Sequence, residues 1–277
     1  MPELPEVEIV RKDLERDVIG RKIKEVTVKL PRIVRRHKTR KEFTDRLAGR
    51  KINKVERRGK YILLGLDSED VLVMHFGMSG HVERATGRKV VDKHTHVIIK
   101  FVTGGELRFV DMRQFGELFV SARNELDGVK ELQHIAIDPF EDSFTWQHFS
   151  GLLVGRQVKL KTLLMDQKFI SGIGNIYSDE ILWASGLRHD RLSDSLTSQE
   201  VRRLYRAIQE VLQDGIRHRG VTLEDEAYKD LYGESGTMQD HLKAYGREGK
   251  PCRRCRTPIV RERWSNRSTF FCPQCQV

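Results

Sequence analysis

The chain has 277 residues, of which 38% are hydrophobic and 32% are charged, and this composition is typical of a globular protein with room for two domains. No stretch approaches the roughly 18 apolar residues that span a bilayer, and no long apolar run follows a basic start. These features argue against a membrane protein and a secreted one, and they predict a cytoplasmic location.

Positive charge is concentrated in two segments of the chain. The formal net charge is +10, but residues 21–60 contain 17 basic and 4 acidic side chains, and residues 247–277 contain 8 and 2. Charge segregated in this way indicates a surface for a polyanion, with nucleic acid as the expected partner. The alternative is that these basic residues only solvate the surface.

The chain opens with "MPELPEVE", in which proline and three carboxylates suit a helix start. Apolar residues then recur at helical spacing until Gly20, which predicts a helix over residues 5–19. Strand-like runs separated by polar turns follow, and they predict an antiparallel sandwich or barrel. The runs are "KIKEVTVKL", "KYILLGL", "VLVMHFG", "HVIIKFV", "ELRFVDM" and "GELFVSA".

The pattern changes to helices near Asp138. Thr197 and Glu200 form the capping box of one predicted helix, and a glycine-rich turn precedes another that Asn175 caps and Gly186 ends. The polar stretch from residue 220 to 245 has no steady period, which is typical of a functional or a disordered loop. The fold class is therefore α+β with two domains. The predicted division is a β-sandwich domain at 1–132, a linker at 133–145, a helical domain at 146–246 and a C-terminal ribbon at 247–277.

All four cysteines lie near the C-terminus with the spacing C-x2-C-x16-C-x2-C; they are Cys252, Cys255, Cys272 and Cys275. Two such pairs supply a tetrahedral set of thiolates for one Zn²⁺, with no open position, so the predicted zinc is structural. Disulfides are the alternative, but a reducing compartment disfavours them. The hairpin between the pairs carries Arg261, Arg263 and Arg267, which could reach a DNA groove or only face solvent.

Five separated motifs bring these pieces together: "PELPEVE", "FGMSGH", "DMRQFG", "GIGNIYSDE" and a terminal "YGREGKPC" with "CPQCQ". In this order, and over nearly the whole chain, they resemble the formamidopyrimidine-DNA glycosylase family of bacterial repair enzymes. The resemblance implies a monomeric glycosylase and AP lyase that excises oxidised purines from damaged duplex DNA at the nucleoid. It also implies a helix-two-turn-helix element beside the zinc ribbon.

The resemblance assigns the catalytic roles. Pro2, exposed when Met1 is removed, would be the nucleophile that forms a Schiff base with the sugar, and Glu3 would be its proton donor. An α-amine with a reference pKa of about 8 is partly uncharged at neutral pH, which suits a nucleophile. Lys60 would donate a proton in β-elimination, and Arg267 would clamp phosphates and act in δ-elimination.

The remaining assignments concern DNA. The target nucleotide must be flipped out of the stack, and the resemblance implies that three residues fill the gap. These void-filling residues are Met78, Arg113 and Phe115. The implied DNA contacts are His94, Arg113, Lys161 and Asn175.

Two departures from the family pattern stand out. Arg256 occupies the place of a knuckle glycine, so we expect an altered turn with zinc retained. The loop from Val221 to Met238 is longer and more acidic than usual, and it bears on lesion preference. One alternative is an endonuclease VIII-like enzyme for oxidised pyrimidines, although this chain has Leu4 where those relatives have glycine. The other is a non-catalytic DNA-binding protein, which would not need Pro2, Glu3 and Lys60.

Overall fold

The computed structural model describes residues 2–224 and 228–277, and these fall into two compact units. The first unit is Met1–Gln133 with His218–Thr237, and the second is His134–Arg217 with Met238–Val277. The segment His218–Thr237 therefore packs with the N-terminal unit, although the sequence places it inside the helical domain. The four-part division of the chain stays a prediction.

The first unit is a helix followed by two antiparallel sheets. Helix α1 spans Leu4–Val18, close to the predicted range. The sheets have the strand orders β1-β6-β7-β5 and β2-β3-β4-β8. The strands are β1 Ile23–Val28, β2 Ile52–Arg58, β3 Tyr61–Leu66, β4 Asp70–His75, β5 Gly80–Ala85, β6 Thr95–Phe101, β7 Glu106–Asp111 and β8 Glu117–Ala122.

One apolar core joins the two sheets to α1. Val10 and Leu14 on the helix lie in the same buried cluster as Leu72 of one sheet and Ile99 of the other. Residues buried from both sheets in one cluster define a sandwich, so the predicted fold class is confirmed. Leu231 also belongs to this cluster, which explains why the segment His218–Thr237 stays with the first unit.

The sequence analysis missed several elements of this unit. Strands β2 and β5 were not predicted, because "INKVERR" and "GHVERA" carry too many charged residues to read as strands. Helix α2 at Arg40–Leu47 was also missed, although Thr39 caps it by accepting a hydrogen bond from the Glu42 N–H at 3.0 Å. Short helical turns complete the unit: 3₁₀ turns at Pro31–Val34 and Arg123–Gly128, and helix α3 at Lys130–Gln133.

The second unit contains four α-helices, two 3₁₀ turns at Ser193–Ser195 and Met238–His241, and a two-stranded ribbon. The α-helices are α4 Trp146–Leu153, α5 Leu160–Met165, α6 Asn175–Ser185 and α7 Ser198–Arg217, with strands β9 Val260–Trp264 and β10 Arg267–Phe271. The capping box of α7 is confirmed, since the Glu200 carboxylate accepts from the Thr197 N–H at 2.8 Å and the Thr197 hydroxyl accepts from the Glu200 N–H at 3.3 Å.

The predicted cap of α6 is wrong by one residue. Gly174 is the N-cap, without a side-chain cap, and Asn175 is the first helical residue. The Asn175 amide instead donates a hydrogen bond to the carbonyl of Ser268 at 3.1 Å. The side chain that was expected to cap the helix therefore binds a strand that is distant in the sequence. The predicted end is confirmed, because Gly186 adopts the left-handed conformation with φ of 71°.

Candidate active site and metal centre

Pro2 and Glu3 lie directly before helix α1. Glu3 is the N-cap, and its N–H donates to the Glu6 carboxylate at 2.9 Å in a capping box. The other oxygen of Glu6 accepts from the backbone N–H of Val221 at 2.9 Å. Pro2, Glu3 and Glu6 are all buried. The chain around Glu3 is therefore fixed both by its own helix and by the segment His218–Thr237.

The third glutamate of the opening motif connects α1 to the turn that carries Lys60. Glu8 accepts from the Arg57 Nε at 2.7 Å, and the same guanidinium donates to the carbonyl of Gly59 at 3.1 Å. Burial raises the pKa of Glu8, but hydrogen bonds from Arg11 and Arg57 outweigh burial and hold this pKa below its ordinary value. Lys60 follows Gly59 and is 9% exposed. Pro2, Glu3 and Lys60 thus belong to one unit, and hydrogen bonds through Arg57 connect helix α1 to the turn that carries Lys60.

His75 is a neighbour of Lys60 that the sequence analysis did not single out. It ends β4, pairs with Tyr61 across the sheet, and stacks on that ring at a centroid distance of 4.6 Å. Burial, followed by the charge of Lys60, lowers the pKa of His75 to about 4. The imidazole is therefore neutral at neutral pH. The available signal was a polar residue at the end of the apolar run "VLVM", directly before "FGMSG".

Asp111 brings together the loops that carry the three predicted void-filling residues. This fully buried carboxylate accepts from the Ser79 hydroxyl at 2.6 Å and from the Gly116 N–H at 2.7 Å. The Arg113 N–H donates to Asp111 at 3.2 Å and to the Ser79 hydroxyl at 3.0 Å. The sequence analysis did not identify Asp111, although it opens the quoted motif "DMRQFG".

The side chains on these loops are exposed although they are apolar or aromatic. Met78 is 40% exposed and Phe115 is 48% exposed, and the Arg113 guanidinium lies 5.4 Å from the Phe115 ring centroid. Gly77 permits the close approach of the loops, because a Cβ there would lie 2.6 Å from the Phe115 carbonyl carbon and its φ is +62°. The structure therefore presents Met78, Arg113 and Phe115 side by side at the surface of the first unit.

His94 precedes strand β6 in the same unit. Its N–H donates to the Asp92 carboxylate at 2.6 Å, which fixes the turn before the strand. The side chain is half-buried and lines a cavity of about 500 Å³ together with His81 and Lys229, among others.

Lys161 and Asn175 lie in the second unit, and their environments differ from the expectation of simple phosphate contacts. The Lys161 ammonium is fully buried and lies 2.5 Å from the Asp179 carboxylate. Burial raises the pKa of Asp179 to about 6 despite this cation. An ammonium without exposed surface cannot contact a phosphate unless the structure rearranges, so this arrangement does not favour a direct contact between Lys161 and DNA. Asn175 is half-buried, and its Nδ2 faces the ribbon at Ser268.

Arg267 begins strand β10 of the ribbon and is exposed. Its guanidinium makes no hydrogen bond or ion pair within the part of the chain that the structure describes. Arg261 is also exposed and donates to the Ser268 hydroxyl at 3.0 Å, whereas Arg263 donates to the carbonyl of Ser265. The ribbon therefore offers guanidinium groups to solvent, and Arg267 is the one least engaged within the described chain.

The four cysteines fit a tetrahedral Zn²⁺ ion. Their sulfur atoms all lie within 4.8 Å of one another, with Sγ–Sγ distances of 3.9 Å for Cys252 and Cys275 and 3.5 Å for Cys255 and Cys272. Four thiolates at a Zn–S distance of about 2.3 Å stand roughly 3.8 Å apart, which matches this spacing. The predicted structural zinc site is confirmed. It is the one cluster of potential metal ligands found within residues 2–224 and 228–277.

The knuckles of the zinc site show how the thiolates are held. The indole N–H of Trp183 donates to the Cys252 sulfur at 3.4 Å, and the backbone N–H of Cys275 donates to the Cys272 sulfur at 3.4 Å. Arg256 makes the first knuckle with φ of +70°, so this turn does use an unfavourable conformation for a residue with a side chain. Zinc binding fixes the ribbon and supplies no open position for chemistry.

Comparison with known proteins covers nearly the whole chain. Three family profiles match in order: the formamidopyrimidine-DNA glycosylase N-terminal domain at residues 1–118, its H2TH domain at residues 135–227, and the zinc finger found in FPG and IleRS at residues 249–277. Curated relatives named formamidopyrimidine-DNA glycosylase include one from Pelotomaculum thermopropionicum, 42% identical over 100% of this chain and 99% of the relative. Another, from Salinispora arenicola, is 44% identical over 100% and 96%.

Solved structures agree with this result. A Lactococcus lactis Fpg in complex with DNA containing an abasic site superposes with a TM-score of 0.91 at 31% identity, covering 99% of both chains. A point mutant of that protein, bound to DNA containing Fapy-dG, gives the same score and coverage. No helix in the described residues is both long and apolar enough to cross a membrane.

The sandwich, the helical unit and the four-cysteine ribbon together define a zinc-binding protein of the H2TH class. Within that class, the chain belongs to the formamidopyrimidine-DNA glycosylase family.

Proposed function

We propose that this protein is a base-excision repair enzyme that excises oxidised purines, 8-oxoguanine and formamidopyrimidines, from duplex DNA and then cleaves the abasic strand. Its full-length relatives carry the glycosylase name, and its structural neighbours are bound to DNA containing an abasic site or Fapy-dG. It acts as a single chain on damaged double-stranded DNA, with one structural Zn²⁺. Its place of action is the bacterial nucleoid in the cytoplasm.

The observation that carries the catalytic proposal is the arrangement at the start of α1. Pro2 precedes a buried capping box of which Glu3 is the N-cap, and the Glu8–Arg57–Gly59 connection holds the Lys60 turn on the same helix. Covalent catalysis by a terminal amine needs such fixed geometry, because the amine must approach the sugar carbon in the orientation that allows attack. Met1, whose removal would free the Pro2 nitrogen, lies outside the described residues.

In the proposed reaction, the Pro2 nitrogen attacks C1′ of the flipped nucleotide while Glu3 exchanges protons with the sugar. The glycosidic bond breaks and the base leaves with its electron pair and a proton. The nitrogen lone pair then opens the C1′–O4′ bond, O4′ takes a proton from Glu3, and an iminium remains between Pro2 and C1′. Loss of a C2′ proton then breaks the C3′–O bond, with Lys60 supplying a proton in this β-elimination. Loss of a C4′ proton breaks the C5′–O bond, and its electron pair leaves with the second phosphate.

The other residues serve the DNA. Met78, Arg113 and Phe115 would fill the gap left by the flipped nucleotide, and their exposure on loops joined by Asp111 supports this role. Arg267 would clamp phosphates and promote δ-elimination, a role supported by its exposure on the ribbon. His94 and Asn175 would contact phosphates. The four cysteines hold the ribbon in place through zinc.

Borohydride trapping tests the proposal directly. The protein is incubated with duplexes carrying one defined lesion, borohydride is added, and the adduct is located by mass spectrometry. We expect trapping on Pro2 with 8-oxoguanine. Pro2→Gly should bind the same duplex but lose most strand cleavage, whereas Pro31→Ala, which changes an exposed proline at the start of a 3₁₀ turn, should cleave like the parent.

Three other outcomes discriminate between the alternatives. Trapping with pyrimidine lesions alone would indicate the endonuclease VIII-like activity instead. No trapping with any lesion, together with normal DNA binding, would support the non-catalytic alternative. Unchanged cleavage by Pro2→Gly would reassign the nucleophile.

A further inference from the structure

A fully buried ion pair lies in the second unit, where the helices meet the ribbon. The Lys161 ammonium and the Asp179 carboxylate are 2.5 Å apart, with exposed side-chain fractions of 0% and 1%. Lys161 comes from α5 and Asp179 from α6, so the pair joins two helices. No step of the proposed reaction uses either side chain.

The same carboxylate also holds the strand that carries Arg267. It accepts from the Thr269 hydroxyl at 2.7 Å and from the Phe270 N–H at 3.0 Å. The carbonyl of Ser268, the residue between Arg267 and Thr269, accepts a hydrogen bond from the Asn175 amide at 3.1 Å. The three residues that follow Arg267 are therefore each bonded to helix α6, and Thr269 is fully buried.

Stability alone does not account for a charged pair in this place. Burying two charges removes them from water, and well-packed apolar residues of similar volume often stabilise a fold as much or more. Apolar packing is already present around the ribbon, since Trp183 and Phe270 share a buried cluster with two of the cysteines. What charged hydrogen bonds add is direction, because they fix which atoms meet and at what distance.

We propose that Asp179, oriented by Lys161, is a positioning residue that sets the register of β10 and thereby the place of the Arg267 guanidinium. This inference rests on the proposed role of Arg267 in δ-elimination. It gives Lys161 a function through Asp179 and the strand in place of a direct contact with DNA. A guanidinium displaced by about 1 Å would lose up to roughly a hundredfold in the step that it promotes.

The test separates the two eliminations on a duplex with a preformed abasic site. The measured quantity is the ratio of β,δ-product to β-product, with zinc content, melting temperature and the rate of borohydride trapping recorded for each variant. Asp179→Asn keeps the shape but removes the charge, and Lys161→Met with Asp179→Leu replaces the pair by apolar groups. Arg267→Ala is the reference, and Asp214→Asn, which changes an exposed carboxylate on α7, is the matched control.

We expect Asp179→Asn and the double variant to lower the β,δ to β ratio about ten- to hundredfold. Both should bind one zinc and trap at the parent rate, and Asp214→Asn should match the parent in every measurement. If Asp179→Asn fails to fold, the double variant alone decides the question. A double variant with the parent ratio would overturn the inference, because packing would then suffice.

Two further outcomes would also overturn it, for different reasons. If Arg267→Ala shifts the ratio but a zinc-loaded Asp179→Asn does not, Asp179 does not position Arg267. If Arg267→Ala itself leaves the ratio unchanged, the proposed role of Arg267 is wrong and the inference fails with it, while trapping on Pro2 still reports the glycosylase activity separately.

Discussion

Arg219 anchors the segment His218–Thr237 to the first unit, and its removal should measurably destabilise that unit. Its guanidinium donates to Asp13 at 2.6 Å and also pairs with Asp230. The exposed fractions are 1% for the Asp13 side chain, 6% for Asp230 and 40% for Arg219. Arg219→Ala would therefore leave two buried carboxylates without their shared cation.

The size of the effect follows from these exposures. Breaking a fully buried pair costs about 3–5 kcal/mol, and an exposed pair contributes about 0–1 kcal/mol. Because Arg219 is partly solvated, we expect Arg219→Ala to lower the free energy of unfolding by about 2 kcal/mol, or about 4–8 °C in melting temperature. Arg217→Ala is the matched control, since Arg217 pairs with Asp214 at 73% and 48% exposure and should change stability by less than about 0.5 kcal/mol.

Thermal and denaturant unfolding of Arg219→Ala, Asp13→Ala and the double variant give the measurement. A double-mutant cycle should return a coupling free energy of about 1 kcal/mol or more between Asp13 and Arg219. Hydrogen exchange should become faster in the segment His218–Thr237 before the rest of the unit. An Arg219→Ala protein that melts with the parent, or a coupling energy near zero, would refute the reasoning.

Three other changes test separate parts of the structure. Cys255→Ser should lower bound zinc from one ion per chain towards none and weaken DNA binding, as measured by metal analysis and a binding titration. Because the pKa of His75 is lowered to about 4 from an ordinary value of 6.5, the folded state resists protonation. Stability should fall as pH drops from about 6.5 to 4, by up to roughly 3 kcal/mol, and His75→Gln should flatten this part of the profile. Raising salt tenfold should lower log K for duplex DNA by about 0.9 per phosphate neutralised, and a flat response would contradict the basic-surface interpretation.

Features set by local rules could be predicted from the sequence. The cysteine spacing defines the metal site because each knuckle is a short turn, and the box of Thr197 and Glu200 marks a helix start within four residues. Alternating apolar runs revealed six of the eight strands. The two that were missed carry charged residues whose partners lie on other elements: Arg57 of β2 pairs with Glu8, and Glu83 of β5 pairs with Lys89.

Features set by distant partners could not be predicted in this way. Asn175 was expected to cap its own helix, but a carbonyl 93 residues away accepts its amide. Lys161 was expected at a phosphate, but Asp179 holds it inside the protein. The hydrophobic periodicity and the motif spacing of the sequence do not indicate these pairings, because the partners come together only when separate elements pack in the fold. Asp111 and His75 were missed for the same reason.

The return of the segment His218–Thr237 to the first unit bears on how the chain is made. Glu6 and Asp13 are synthesised at the very start, but their partners Val221 and Arg219 come 215 and 206 residues later. A nascent or truncated chain that ends before this segment leaves Glu6 without the Val221 N–H and Asp13 without Arg219, and it should be more open to proteolysis. The first unit is thus completed only when most of the protein has left the ribosome. Fragments that carry Pro2 but end before residue 218 should therefore be degraded more readily than the full chain.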